Sequence, residues 1–135
     1  MVEWRPITRA GKPEIRGIHP NDPGRLDVVL LLSNTPPDAW ANYFVRSYTE
    51  DPHLPWFRDG STPLPRIEGM SIRIAPLDKE LEDWVKGVDA RIQEANEYYE
   101  QTELPRLRAQ EQAHDRDEEE LQRRLEEARR KAREL

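Results

Sequence analysis

Residues Leu26 to Ser33 read LDVVLLLS, and the fold turns on how this stretch is read. In an extended chain successive side chains point to opposite faces, so Val28, Leu30 and Leu32 share one face and Val29 and Leu31 the other. Both faces are apolar, the pattern of a central strand covered on both sides. Burying a valine or leucine stabilises by roughly 1.5–3 kcal/mol. Val29 and Leu31 are therefore expected to be covered by an amino-terminal hairpin, by the Trp56–Phe57 loop or by another subunit. Upstream, Asp22-Pro23-Gly24-Arg25 suits a type II turn, with proline setting φ and glycine supplying a positive φ. Glu14 to Ile18 is the predicted partner strand. Val2 to Ile7 is predicted as an edge strand, where Pro6 is tolerated.

Downstream, Thr35 as N-cap, Pro36 as first helical residue and Asp38 in the first turn predict a helix over 36–49. Trp40, Phe44 and Tyr48 recur every four residues, an aromatic stripe able to pack on a sheet. Residues 51–66 form a proline-rich connection with Asp59-Gly60 as a turn. Ile67 to Ala75 predicts another strand, with Met70, Ile72 and Ile74 alternating against Ser71 and Arg73. Strand 26–33, helix 36–49 and strand 67–75 together have the length of a right-handed parallel crossover. A long helix over 77–101 follows, with Leu81, Trp84, Val85, Val88, Ile92, Ala95 and Tyr99 on one stripe.

Proline divides the chain. Eleven of its 12 prolines lie within residues 1–76, and only Pro105 comes later. Because proline removes an amide donor and clashes inside a helix, the first part is expected to be strands, turns and one short helix. The second part can be helical with one interruption. Pro105 fits either a kink or a fresh helix start capped by Thr102.

From Leu104 a three-four spacing runs through Leu107, Glu111, His114, Glu118, Leu121, Leu125, Ala128, Ala132 and Leu135, which is heptad a and d placement weakened by three polar members. Glu119–Arg123, Glu120–Arg124, Glu126–Arg130 and Glu127–Lys131 are i,i+4 pairs in the favourable orientation, together contributing roughly 1–2 kcal/mol of local helix support. The expected architecture is α+β: a small mixed sheet with two packed helices over residues 1–101, then a long charged helical extension over 102–135.

Composition narrows the function classes. The 135 residues carry 21 Lys plus Arg against 27 Asp plus Glu, a formal charge of −6, with no cysteine. Disulfides, thiolate metal sites and thiol catalysis are excluded. The longest apolar run, Val28 to Leu32, is far short of the ~20 residues that span a bilayer. The start, Met1-Val-Glu-Trp-Arg-Pro, holds no apolar signal region. A cytoplasmic protein without membrane association is expected. Nonspecific nucleic-acid binding needs clustered cations, and neither part has an excess of them.

Catalytic signatures are missing. Ser33, Ser47, Ser61 and Ser71 sit in no G-x-S-x-G elbow, and the scattered glycines form no phosphate cradle. His114 and Glu118 stand at i,i+4, a metal-compatible spacing, but a site needs three or four converging ligands. His19 and His53 have acidic neighbours and no demanding spacing. No enzyme activity, cofactor or metal is expected. In Leu54-Pro-Trp56-Phe57-Arg58, two rings and an arginine have the composition of a binding hot spot. The same rings can instead fold back over the core edge.

The expected function is a noncatalytic protein-protein interaction or assembly module, self-associating or binding a protein partner. Its candidate contact residues are Trp56, Phe57, Arg58, Leu121, Leu125 and Leu135. Nucleic-acid association through Arg106, Arg108, Arg116 and the basic run Arg129 to Arg133 is the less favoured alternative.

Overall fold

A computed structural model describes residues 3–57 and 62–135, the side chains of residues 47–49 excepted. Arg58, the Asp59-Gly60 turn, Val2 and the Tyr48 side chain lie outside the described residues. The architecture is α+β. It contains β1 (Glu14–His19), β2 (Asp22–Leu31), α1 (Asp38–Glu50), β3 (Arg66–Glu68), β4 (Ser71–Ile74), α2 (Leu81–Tyr98) and α3 (Leu104–Glu134). Residues Arg5–Tyr99 form one compact unit and Glu100–Leu135, with Trp4, belong to another.

The sheet has strand order β1-β2-β4-β3, and every pairing is antiparallel. The expected mixed sheet and its parallel crossover are thereby corrected: Val28 pairs Ile74 and Leu30 pairs Ile72 in an antiparallel register. The reason lies inside the segment 67–75, which is a hairpin rather than one strand. Glu68 pairs Ser71 across Gly69-Met70, and Gly69 takes φ +58°. Glycine at the first central position suits the two-residue turns that match strand twist. The chain arrives along β3, reverses, and returns along β4 against β2.

A second correction concerns the first hairpin. His19 pairs Asp22, so the turn is Pro20-Asn21 and residues 22–25 already belong to β2. Asp22 acts locally instead, its carboxylate accepting from the Gly24 N–H at 3.1 Å and from Arg25 Nε at 3.1 Å. The predicted edge strand over Val2 to Ile7 is also displaced. An isolated Arg9↔Leu32 bridge, with Ser33 N–H donating to the Thr8 carbonyl at 2.8 Å, holds the amino-terminal segment beside the end of β2.

The two faces of β2 differ. Val28, Leu30 and Leu32 are buried with Ile72 and Ile74. On the opposite face Val29 is buried as expected, but Leu31 is 47% exposed. Leu31 lies at the strand end, paired with Ser71 beside the Gly69-Met70 turn, and Met70 is likewise 47% exposed. Farther along that face a polar ladder takes over, with Arg73 placed 3.7 Å from Asp27 and 3.9 Å from Glu68.

Helix α1 starts two residues later than predicted, the Ala41 N–H donating to the Pro37 carbonyl at 3.0 Å. A residue before proline is pushed out of the helical region, so Pro36, preceding Pro37, cannot open the helix comfortably. The aromatic stripe forms where it is described: Trp40 and Phe44 are fully buried and stack at 5.6 Å. On α2 the predicted stripe is buried at Trp84, Val88, Ile92, Ala95 and Tyr99. A 3₁₀ turn over Asp78–Glu80 precedes α2, and a π turn over Tyr99–Glu103 joins it to α3 without a loop. Pro105 clashes with the carbonyl four residues back in a regular helix, and a wider π turn accommodates it. Thr102 is therefore not a cap but part of that turn.

Candidate interaction surface

Three polar anchors fix the Arg5–Tyr99 unit. Asn96 Oδ1 accepts from the Ile7 N–H at 3.0 Å and from Trp40 Nε1 at 2.9 Å, while its Nδ2 donates to the Ile7 carbonyl at 2.8 Å. One amide thus ties the amino-terminal segment, α1 and α2. Arg91, only 6% exposed, donates from Nη2 to the Tyr43 carbonyl at 2.6 Å and from Nη1 to Glu94 at 2.8 Å. Its guanidinium sits 4.3 Å from the Tyr43 ring centroid, and that ring stacks on Tyr98 at 4.3 Å. Arg9 makes a forked contact with Asp89 at 2.9 and 3.1 Å. The hydrogen bond to Asp89 raises the Arg9 pKa above its ordinary value, against the opposing effect of desolvation.

Sequence reasoning missed Arg91 and Asn96. For Arg91 a signal was present: it follows Trp84 and Val88 at helical spacing and precedes Ala95, so the helical period already put a cation on the apolar stripe. Asn96 flanks that stripe, and its partners Ile7 and Trp40 lie far away in sequence.

The proline-rich loop belongs to the core. Trp56 is 2% exposed, Leu54 is buried beside it, and Trp56 meets Trp84 with ring centroids 5.4 Å apart. Gly87 permits this approach, since a Cβ there would lie 3.2 Å from the Trp56 ring and 3.3 Å from Leu54. Neither Trp56 Nε1 nor Trp84 Nε1 has a hydrogen-bond partner among the described residues. Trp56 is therefore not presented to a partner, which corrects its place among the contact residues. Phe57 is half-buried, and Arg58 lies outside the described residues.

Each histidine is engaged locally. His19 Nδ1 accepts from the Asn21 N–H at 3.2 Å, the His53 N–H donates to Asp51 at 3.0 Å, and His114 lies 3.5 Å from Glu118. Among the described residues no group of three His, Asp or Glu side chains is placed to hold a metal ion. No described helix is long and apolar enough to cross a membrane.

On α3 the remaining contact residues are open. Leu121 is 55% exposed, Leu125 47% and Leu135 fully so. The heptad spacing places all three on one stripe. Leu104 is buried, Leu107 and Glu111 are half-buried, and every residue from Gln112 to Leu135 is exposed. Local charge pairing supports the helix, with Lys131 3.8 Å from Glu127 and Arg106 2.9 Å from Glu103. Away from its two ends the helix satisfies its backbone hydrogen bonds internally, so what its exposed middle leaves unpacked is apolar. No protein-family model matches the chain, and no curated protein or solved structure does either.

Proposed function

We propose that the chain is a noncatalytic assembly module of the cytoplasm whose α3 pairs with α3 of a second copy as a short coiled coil. The observation that carries this reading is the exposed stripe Leu121, Leu125, Leu135 on a helix with no buried residue after Leu104. Isolated helices gain little stability from propensity alone and normally gain it by burying an apolar face. Leu121 and Leu125 are the two large side chains able to form the centre of such a seam. A seam this short supports a concentration-dependent rather than a permanent association, since a sustained coil normally takes three or four good heptads. Nucleic acid is the less favoured partner, because Arg106 is already held by Glu103 and the basic run Arg129 to Arg133 is flanked by Glu126, Glu127 and Glu134 on the same helix.

The test is light-scattering mass of the full chain over a range of concentrations. A mass rising above the 15.9 kDa of one chain supports the reading. The rise should vanish in the Leu121→Lys, Leu125→Lys double variant. A chain that remains monomeric at every concentration overturns it.

A further inference from the structure

The charges of α3 are segregated along its length. Residues 111–120 hold six carboxylates, Glu111, Asp115, Asp117, Glu118, Glu119 and Glu120, against the single cation Arg116. Residues 121–134 reverse this, with six cations against the three carboxylates Glu126, Glu127 and Glu134. All these side chains lie on one continuous helix and, Glu111 apart, are exposed.

We infer that two copies of α3 pair antiparallel, with the two-fold axis at Arg123, so that each basic half lies on the acidic half of the other copy. This rests on the assembly reading above and specifies its geometry. Antiparallel pairing sets a positions opposite d positions. With Glu118, Leu125 and Ala132 at a, and His114, Leu121, Ala128 and Leu135 at d, this register puts Leu121 opposite Leu125 of the second copy, twice. Glu118 then faces Ala128, His114 faces Ala132, and the terminal Leu135 faces Glu111. The small alanines leave room for those polar side chains to reach solvent along their apolar stems.

The flanking positions agree. Arg129 faces Asp115 of the second copy and Lys131 faces Asp117, and symmetry doubles both pairs. Gln122 meets Gln122. One like-charged pair remains, Arg124 with its own copy at the axis, where Glu120 and Glu127 of its own helix are neighbours at helical spacing.

Competing arrangements fare worse on the same residues. Parallel in-register pairing stacks Glu111 on Glu111 and Glu118 on Glu118, and places Arg124 against Arg129. Sliding the antiparallel pair by one heptad one way puts Leu121 on Glu118, Leu125 on His114 and Arg129 on Arg108; sliding it the other way separates the leucines onto Ala132 and Ala128 and sets Arg124 on Lys131. Like charges directly across an interface oppose association and so select against the wrong partner or register.

Two measurements on the full chain decide the matter. The chain contains no cysteine, so Gln112→Cys accepts a single spin label. In the proposed dimer the two labels stand about 33 Å apart along the helix axis, from 1.5 Å per residue. In a parallel in-register pair they stand only across the helix pair, at about 20 Å or less. In the second measurement, Arg129→Glu with Lys131→Glu should weaken dimerisation about tenfold or more, through four reversed charge pairs. Adding Asp115→Lys and Asp117→Lys to that variant should restore it.

Long label separation together with charge-swap rescue supports the inference. A dimer with short label separation, or one not rescued by the swap, overturns the antiparallel register and leaves assembly through α3 standing. A chain monomeric at all concentrations overturns both.

Discussion

Asn96 and Gly87 show how much of this fold hangs on single atoms. The Asn96 amide is the shared partner of two donors, the Ile7 N–H and Trp40 Nε1, and of the Ile7 carbonyl. Replacing it by alanine leaves the Ile7 N–H, the Ile7 carbonyl and Trp40 Nε1 without this partner, each costing about 1–3 kcal/mol if left unpaired. Asn96→Ala is expected to lower stability by about 3 kcal/mol, read from the urea midpoint at unchanged slope. Gly87 matters for space, since its missing Cβ is what lets Trp56 lie against α2. Gly87→Leu is expected to cost about 1–3 kcal/mol by overpacking and to shift indole emission to longer wavelength as Trp56 loosens. Gly87→Ala should cost less than Gly87→Leu, because its single Cβ asks the Trp56 ring to shift only slightly from 3.2 Å and alanine in a helix returns roughly 0.5–1 kcal/mol relative to glycine.

At the level of the elements, the second face of β2 is where sequence and structure part. Alternation in LDVVLLLS assigns Val29 and Leu31 the same status, yet one is 5% exposed and the other 47%. Leu31→Glu should therefore shift stability by no more than about 0.5 kcal/mol, as ordinary surface changes do. Val29→Ala should cost about 1.5–2.5 kcal/mol in lost transfer energy and cavity. Thermal denaturation of the two variants side by side makes the comparison, and equal losses would show that both positions are buried alike. Helix elements were the more legible. Of the seven positions the α2 stripe predicts, Trp84, Val88, Ile92, Ala95 and Tyr99 are buried and Leu81 and Val85 half-buried, because a 3.6 period sustained over five turns fixes the inward face. The α1 start slipped by two because the consecutive prolines Pro36 and Pro37 compete for the first helical position.

Across the whole molecule, the Arg5–Tyr99 unit contains the four described strands, α1 and α2. A chain stopped after Pro105 is accordingly expected to keep a cooperative thermal transition close to that of the full chain in calorimetry. It should lose any mass above a single copy in light scattering. Loss of folding on truncation would show that α3 belongs to the core. What the sequence determined by itself was set by local period and local chemistry: the α+β class, the central strand, the two amphipathic stripes, and the charged carboxyl-terminal helix with its heptad-spaced leucines. What only the tertiary structure decided was non-local. The direction of β4 followed from one glycine turn that hides inside an apparent strand. The burial of Trp56 followed from the absence of a side chain at Gly87, 31 positions away in the chain. The Asn96 and Arg91 anchors followed from backbone groups on other elements. Periodicity reports which face of an element is apolar; it carries no information about which distant backbone will be delivered to that face.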